Sequence, residues 1–512
     1  MILDFDGIAA LTEIDADLCI AGAGAAGIAL ALEFAGARQR VVVLESGGES
    51  FEPATQRLYD SELRGLPCAT VHEGRARRLG GTTTMWAGQA LALDELDFEV
   101  RDWVPGSGWP LTLSELQPYY RRAERLMGVP EAWYGDRSWP HGLPMPPVTE
   151  GLAVRFSTFS PTPNFATAHR AALQRAANVM VLLHATARTL VMDGEGARVG
   201  AIEIASLSSG RLARITARRY VICCGGVETP RLLLASRVGN DLVGRYFQEH
   251  VHVNLPVLAT SRRLVGRRFH GRRVGGVRHF AKLAATPGLQ RRERMLNVGA
   301  NVSYDPDANL AVRAVKDGEL LSALRYPRQL GAAVYRHVVL RQKASEGFGT
   351  MYFCVQTENL PRWDSRVMLA RRTDGLGMPC AVVDWRVGDQ ELRTAELFAG
   401  RLSALLRTSG LGDLDLSGFP LPRDLELLSE RVAGGCHHIG TTRMADHPYD
   451  GVVDRDCRVF GVENLFVAGS AVFPTSGWSN PTLTLLALCY RLADRLKEEL
   501  ASSAREAVGV GS

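Results

Sequence analysis

The sequence lacks an apolar run long enough to cross a membrane. Its longest uncharged stretches, Leu18 to Leu32 and Asn464 to Tyr490, are broken by Gly, Pro or polar residues, whereas a spanning helix needs about 20 mostly apolar residues. Charge of one sign is also scarce: 59 Lys and Arg against 55 Asp and Glu give a net charge of +4, too little to argue for a polyanionic partner from the whole chain. Met1 to Ala16 carries acids and no basic segment, so no signal peptide is expected. The nine cysteines are scattered, odd in number and without a CxxC pair, which speaks against a disulfide framework and against a zinc site. A cytoplasmic protein with no metal, no membrane and no nucleic-acid partner is the expectation. At 512 residues, 46% hydrophobic and 22% charged, the chain suits two joined globular domains.

What is present is most specific between Asp15 and Gly48. Asp17 to Ala21 is a short apolar run, Gly22-Ala-Gly24-Ala-Ala-Gly27 turns it into the Ala-rich segment Ile28 to Gly36, and Val41 to Leu44 ends on Glu45. Strand, Gly-rich turn, helix and second strand, closed by an acid 23 residues after the first glycine, form a dinucleotide-binding pattern. Gly22 makes the tight turn, Gly24 admits a pyrophosphate to the backbone and Gly27 lets helix and strand pack closely. Glu45 would accept a hydrogen bond from an adenosine ribose. The pattern alone does not separate FAD from NAD.

Ser46 to Arg78 shows little periodicity and reads as a loop or lid over the nucleotide. Gly80, Gly81, Thr82 and Trp86 follow in a Gly/Thr run suited to close approach of a ligand. Thr112 and Glu115 form a capping box, with Pro118 read as the first residue of the main helix to Met127, and Pro140 to Thr149 reads as a surface linker. Strands are expected at 179–183, 188–192 and 199–204, then at Arg219 to Cys224, with Gly225 and Gly226 beside the adenosine and a short helix over 228–234. From Tyr246 to Ala433 the pattern changes. Segments 350–357, 366–370 and 380–386 read as an antiparallel meander, and Gln390 to Leu406 as a helix with Leu392, Phe398, Leu402 and Leu405 on one face. Arg262 to Arg294 holds ten Arg and one Lys against Glu293 alone; solvated loops are favoured over a nucleic-acid surface because aromatics are sparse there. His250 and His252 can share a strand face, but no third metal ligand accompanies them.

The C-terminal stretch carries chemistry. Leu465 to Ala468 reads as a buried strand ending at Gly469-Ser470, and Pro481 as the first residue of a helix over 482–500, capped by Ser479 or Asn480. The positive end of that helix, with Thr482 in its first turn, suits the negative charge of a reduced flavin. His437 is the residue type suited to accepting an alcohol proton near neutrality. His437 and His438, adjacent on extended backbone, point to opposite faces, so only one of them should face the flavin.

Gly22-x-Gly-x-x-Gly27 with Glu45, Leu79-Gly-Gly-Thr82, Cys223-Cys-Gly-Gly226, Gly435-Cys-His-His-Ile-Gly-Thr441 and Ser479-Asn-Pro-Thr482 together resemble the glucose-methanol-choline (GMC) family of FAD oxidoreductases, in its pyranose-oxidase-like branch. The resemblance covers most of the nucleotide domain and matches the middle of the chain loosely. It implies FAD as cofactor, His437 as the active-site histidine and Asn480 as its partner. Pyranose 2-oxidases carry a histidine bonded to FAD where this chain has Met85 before Trp86, and a thioether is not a nucleophile for that bond, so non-covalent FAD is expected.

The expected architecture is α/β: a doubly wound FAD domain from residues 1–245 and 434–512, with an antiparallel-sheet and helix substrate domain inserted at 246–433. The expected activity is oxidation of an alcohol, with a carbohydrate hydroxyl favoured, whether free sugar, glycoside or aminoglycoside. His437 takes the proton, the hydride passes to flavin N5, and oxygen or a quinone-like carrier is the acceptor. A non-redox lyase on the same fold, a GMC dehydrogenase for a non-sugar alcohol such as a sterol, and an NAD(P)-dependent dehydrogenase are the alternatives. Glu249, Glu358 and Asp364 are the carboxylates weighed as partners for an aminoglycoside.

Overall fold

Four strands of the first sheet end side by side, and their register fixes where a ligand can sit. In the computed structural model, which describes residues 1–8, 12–130, 145–259, 262–269, 271–304, 309–316, 320–338 and 349–509, Glu13–Ala21 lies parallel to Val41–Leu44 on one side and to Leu212–Ile222 on the other. Leu465–Val467 joins the far side of Leu212–Ile222, again parallel. Ala21 pairs with Leu44 and with Ile222, and Ile222 with Val467. Gly22, Glu45, Cys223 and Ala468 therefore emerge together at the carboxyl edge, the place where doubly wound sheets bind ligands. The eight-stranded sheet runs Ile2–Asp4, Val179–Leu183, Val41–Leu44, Glu13–Ala21, Leu212–Ile222, Val199–Ala205, Thr186–Met192, with Leu465–Val467 beside the fifth. Val41 to Leu44 is buried at every position, as parallel strands covered on both faces must be.

A second, nine-stranded sheet carries Val251–Ala259, Met351–Thr357, Val298–Tyr304, Val277–Ala285 and Leu152–Phe159 in antiparallel order. It also takes Gln89–Ala90 from early in the chain and Val432–Gly434, which leads into the histidine pair. The helix Asp389–Thr408 buries Leu392, Phe398, Leu402 and Leu405 against this sheet's core. Each large sheet has its own hydrophobic cluster.

Several local expectations are corrected. Met351–Thr357 belongs to the nine-stranded sheet, whereas Arg366–Thr373 and Pro379–Trp385 pair with each other in a separate three-stranded sheet, so they do not form one meander. The third strand of that small sheet is Ser61–Gly65, inside the stretch read as a loop or lid. Pairing with Pro379–Trp385 orders a segment too polar to declare itself a strand. The helix after the capping box begins at Leu113, with Thr112 accepting from the Glu115 amide and Glu115 accepting from the Thr112 amide. Pro118 lies inside this helix rather than at its start. Residues 140–144 of the expected linker lie outside the described residues, and 145–149 carry no helix or strand.

The last helix, Thr482–Gly509, packs against Leu113–Met127 and Ala25–Glu33. Its first backbone bond runs from the Leu485 amide to the Pro481 carbonyl, so Pro481 takes the capping position, one residue after Asn480, and is not the first helical residue. All nine cysteines are free thiols. Among the described residues no helix is long and apolar enough to cross a membrane.

Candidate active site

The carboxyl edge of the parallel strands opens into a cavity of about 490 Å³. Gly22, Gly24, Glu45, Gly81, Thr82, Trp86, Gly225, Gly469, Ser470, Pro481 and Thr482 line it, together with His437 and Asn480. Gly27 and Gly80 do not. A Cβ at Gly27 would fall 1.8 Å from the Gly22 carbonyl oxygen, and one at Gly80 would fall 2.9 Å from Ala166; both glycines serve packing behind the wall. By contrast, Gly225 and Gly469 line the cavity, and a Cβ on either would meet no protein atom within 4 Å. It would project into space left for a ligand. The Glu45 carboxylate accepts the Ala23 amide at 3.0 Å and the Gly47 amide at 3.1 Å, which holds the Gly-rich turn against the second strand's end. A cavity walled by strand ends, by the start of Ala25–Glu33 and by these bare glycines fits a dinucleotide such as FAD.

Arg75 and Arg77, read as parts of a lid, are instead buried in this wall. Glu228 pairs with Arg75 at 2.9 Å, with Arg77 at 2.6 Å and with Arg231 at 2.8 Å; Arg231 also reaches Asp374. Burial alone would raise the Glu228 pKa, but the three guanidiniums hold it down to about 2. Arg75, Arg77, Glu228 and Asp374 of this cluster line the cavity beside Glu45, so its wall is built on buried, mutually paired charge.

The histidine pair sits on the loop after Val432–Gly434, and a buried carboxylate shapes that loop. Glu249 accepts the amides of Gly435 at 3.0 Å, His437 at 2.8 Å and His250 at 2.8 Å, and burial pushes its pKa up to about 7. Cys436, just before the histidine pair, takes a left-handed φ of 62°. His437 Nε2 lies 3.1 Å from Asn480 Nδ2, and its Nδ1 lies 2.8 Å from His250 Nδ1. His438 turns the other way: its ring stacks on Phe247, and its Nε2 faces Thr70 at 3.4 Å and Glu249 at 3.7 Å. The backbone carbonyl of His438 presses on Gly226, where a Cβ would come within 2.3 Å.

Several residues of this site were given no role by the sequence. Gln356 donates to His250 Nδ1 at 2.9 Å, and Lys282 lies 3.3 Å from Asn480 Oδ1. Burial lowers the Lys282 ammonium to about 8. Both come from strands remote in sequence from the histidine loop. His252, noted only as a possible neighbour of His250, bonds Gln356 Oε1 at 3.0 Å. Of the carboxylates weighed for an amine-bearing substrate, Glu249 is spent on backbone amides. Glu358 is bound by both Arg101 nitrogens at 2.7 Å, and Asp364 is exposed. Among the described residues, Cys68, Glu249 and His438 place ligand atoms close together, but the Glu249 oxygens are already saturated by N–H and O–H donors.

Two family models, both described as GMC oxidoreductase, match residues 166–252 and 361–489. The chain is 25% identical to the 6'''-hydroxyparomomycin C oxidase of Streptomyces lividus over 95% of this chain and 92% of that protein. It is 25% identical to the paromamine 6'-oxidase of Streptomyces fradiae over 83% of this chain and 79% of that protein. Among solved structures, pyridoxine 4-oxidase from Mesorbium loti superposes with a TM-score of 0.58 at 18% identity, covering 94% of this chain and 98% of the other.

Proposed function

The chain belongs to the GMC oxidoreductase family of FAD-binding flavoproteins, and from that premise we propose that it oxidises a carbohydrate hydroxyl, with His437 and Asn480 as the catalytic pair. The observation that carries this reading is the approach of His437 Nε2 and Asn480 Nδ2 to 3.1 Å on the wall of the cavity. Bound FAD supplies the hydride acceptor. His437 accepts the hydroxyl proton at Nε2, while the Asn480 amide donates to the same oxygen and holds the carbinol carbon in place. Burial first, then His250, His252 and Lys282, keep His437 neutral and ready to accept. The start of Thr482–Gly509, with Pro481 and Thr482 on the cavity wall, presents free N–H groups where they favour negative charge.

Met85 lines the cavity at the position matched to the bonded histidine, so FAD is held without a covalent bond. Two relatives are oxidases of 6'''-hydroxyparomomycin C and of paromamine, which supports a carbohydrate-like substrate. The buried Lys282 next to Asn480 favours a neutral region around the reacting carbon, so amines of an aminoglycoside would lie away from it. Nine free thiols favour a reducing compartment such as the cytoplasm, and oxygen or a quinone-like carrier completes the turnover.

The test is an anaerobic absorbance titration of the purified protein with sugars, glycosides, aminoglycosides and non-sugar alcohols, followed by acid precipitation. Bleaching of the flavin by a carbohydrate and release of FAD into the supernatant are expected. Bleaching by non-sugar alcohols alone overturns the substrate class. Flavin that no alcohol bleaches points to the lyase reading, and FAD retained in the pellet overturns non-covalent binding.

A further inference from the structure

The hydrogen bonds behind His437 form a chain whose two ends are fixed in direction. At one end Gln356 Nε2 donates to the carbonyl oxygen of Trp478, an atom that only accepts. This orients the amide so that Nε2 also donates to His250 Nδ1 at 2.9 Å and Oε1 accepts from His252 Nε2 at 3.0 Å. With its Nδ1 lone pair engaged, neutral His250 carries its proton on Nε2, which faces the Ser476 carbonyl oxygen at 3.4 Å. His437 Nδ1 stands 2.8 Å from that same His250 Nδ1. Two bare ring nitrogens at this distance would repel, so His437 is the donor there. At the other end the Lys282 ammonium, a donor only, lies 3.3 Å from Asn480 Oδ1 and turns Asn480 Nδ2 toward His437 Nε2.

We infer that Gln356 is a positioning residue of this site: through His250 it holds His437 as the tautomer protonated on Nδ1 and bare on Nε2, while Lys282 turns the Asn480 amide to meet that bare nitrogen. The consequence for catalysis rests on the alcohol-oxidation reading above; the geometry does not. A histidine in the opposite tautomer would present an N–H to the incoming hydroxyl and could not accept its proton at that atom. The rings of the relay stay uncharged because burial lowers His250 to about 3 and His252 to about 4. Gln356 itself lies on Met351–Thr357 between Val251–Ala259 and Val298–Tyr304 and is 5% exposed, so its amide has no other orientation that satisfies the Trp478 carbonyl.

The test uses the full-length, FAD-loaded protein with isotopically labelled histidine nitrogens. Long-range proton–nitrogen correlation spectra separate proton-bearing from bare ring nitrogens, and His437→Ala assigns the His437 pair. Wild-type His437 is expected to show a protonated Nδ1 and a bare Nε2. Gln356→Met, similar in length but without a donor, is expected to keep FAD content and circular dichroism unchanged. It should turn His437 into a mixture of tautomers within roughly threefold of even, the loss of one hydrogen-bond preference, and slow flavin reduction by substrate roughly two- to fourfold, in proportion to the competent tautomer lost. A protonated Nε2 in the wild type, or an unchanged tautomer in Gln356→Met, overturns the inference. If Gln356→Met does not fold, His250→Ala, which removes the acceptor that Gln356 orients, is read in the same way. Because the tautomer is measured without substrate, the expected spectra in a protein that no alcohol reduces would sink the oxidation reading and leave this one standing.

Discussion

His437 is enclosed by His250, His252, Lys282 and His438, and burial together with these neighbours holds its imidazolium well below the ordinary value of 6.5. A base is active when unprotonated, so a lowered pKa extends activity toward acid. The pH profile of flavin reduction by substrate should therefore place its acid limb well below 6.5, and a limb near 6.5 would contradict the burial argument. His437→Ala should keep the flavin spectrum and slow reduction about a hundredfold or more, the usual worth of a general base. Asn480→Ala should slow it less, since His437 still accepts the proton. Rapid anaerobic mixing reads both rates. His437 and Asn480 were singled out because each lies in a dense local motif. Gln356, Lys282 and the anchoring role of Glu249 were not, because their partners come from segments up to 198 residues away.

The βα unit at Glu13–Glu33 was readable from spacing, since apolar strand, glycines and Ala-rich helix follow one another without interruption. Gly27 tests it. Its missing Cβ is what allows the Gly22 carbonyl oxygen to approach, and that neighbour is backbone that cannot swing aside. Gly27→Ala should cost about 1–3 kcal/mol through overpacking and release flavin, seen as a lower thermal midpoint and a colourless protein. An unchanged midpoint would show that the turn can shift. Ser61–Gly65 was missed at this same scale: Ser-Glu-Leu-Arg-Gly offers no apolar alternation and becomes a strand only beside Pro379–Trp385. Pro118 misled for a related reason, because packing against Thr482–Gly509 carries the helix through a residue that usually opens one.

Across the molecule, buried charge ties segments far apart in sequence. Arg101 and Glu358 form a fully buried two-pronged pair, and Glu358 also accepts the Asn297 amide at 3.0 Å. Arg101→Leu leaves that carboxylate unpaired and should cost about 3–5 kcal/mol, whereas Arg101→Leu with Glu358→Leu should recover part of the loss; thermal unfolding of the single and double variants decides. His184 bridges Asp4 at 3.0 Å and Glu52 at 2.9 Å, tying the first strand to the segment that follows Val41–Leu44. Burial alone lowers its pKa, but the two carboxylates outweigh it and raise the value above 6.5. Its stabilisation is therefore complete below about pH 6.5 and lost as pH rises through the folded pKa. The midpoint difference between wild type and His184→Gln should shrink along that rise; a difference constant with pH would remove the ion pair as its cause. The sequence by itself determined the dinucleotide unit, the C-terminal strand and helix, the histidine loop and the family they resemble, because each is written in contiguous residues whose spacing serves a local backbone geometry. Only the tertiary structure decided that the four strand ends meet at one cavity, that Arg75 and Arg77 are wall rather than lid, and that Gln356 and Lys282 stand behind His437 and Asn480, because strand pairing and burial join residues that no local pattern connects.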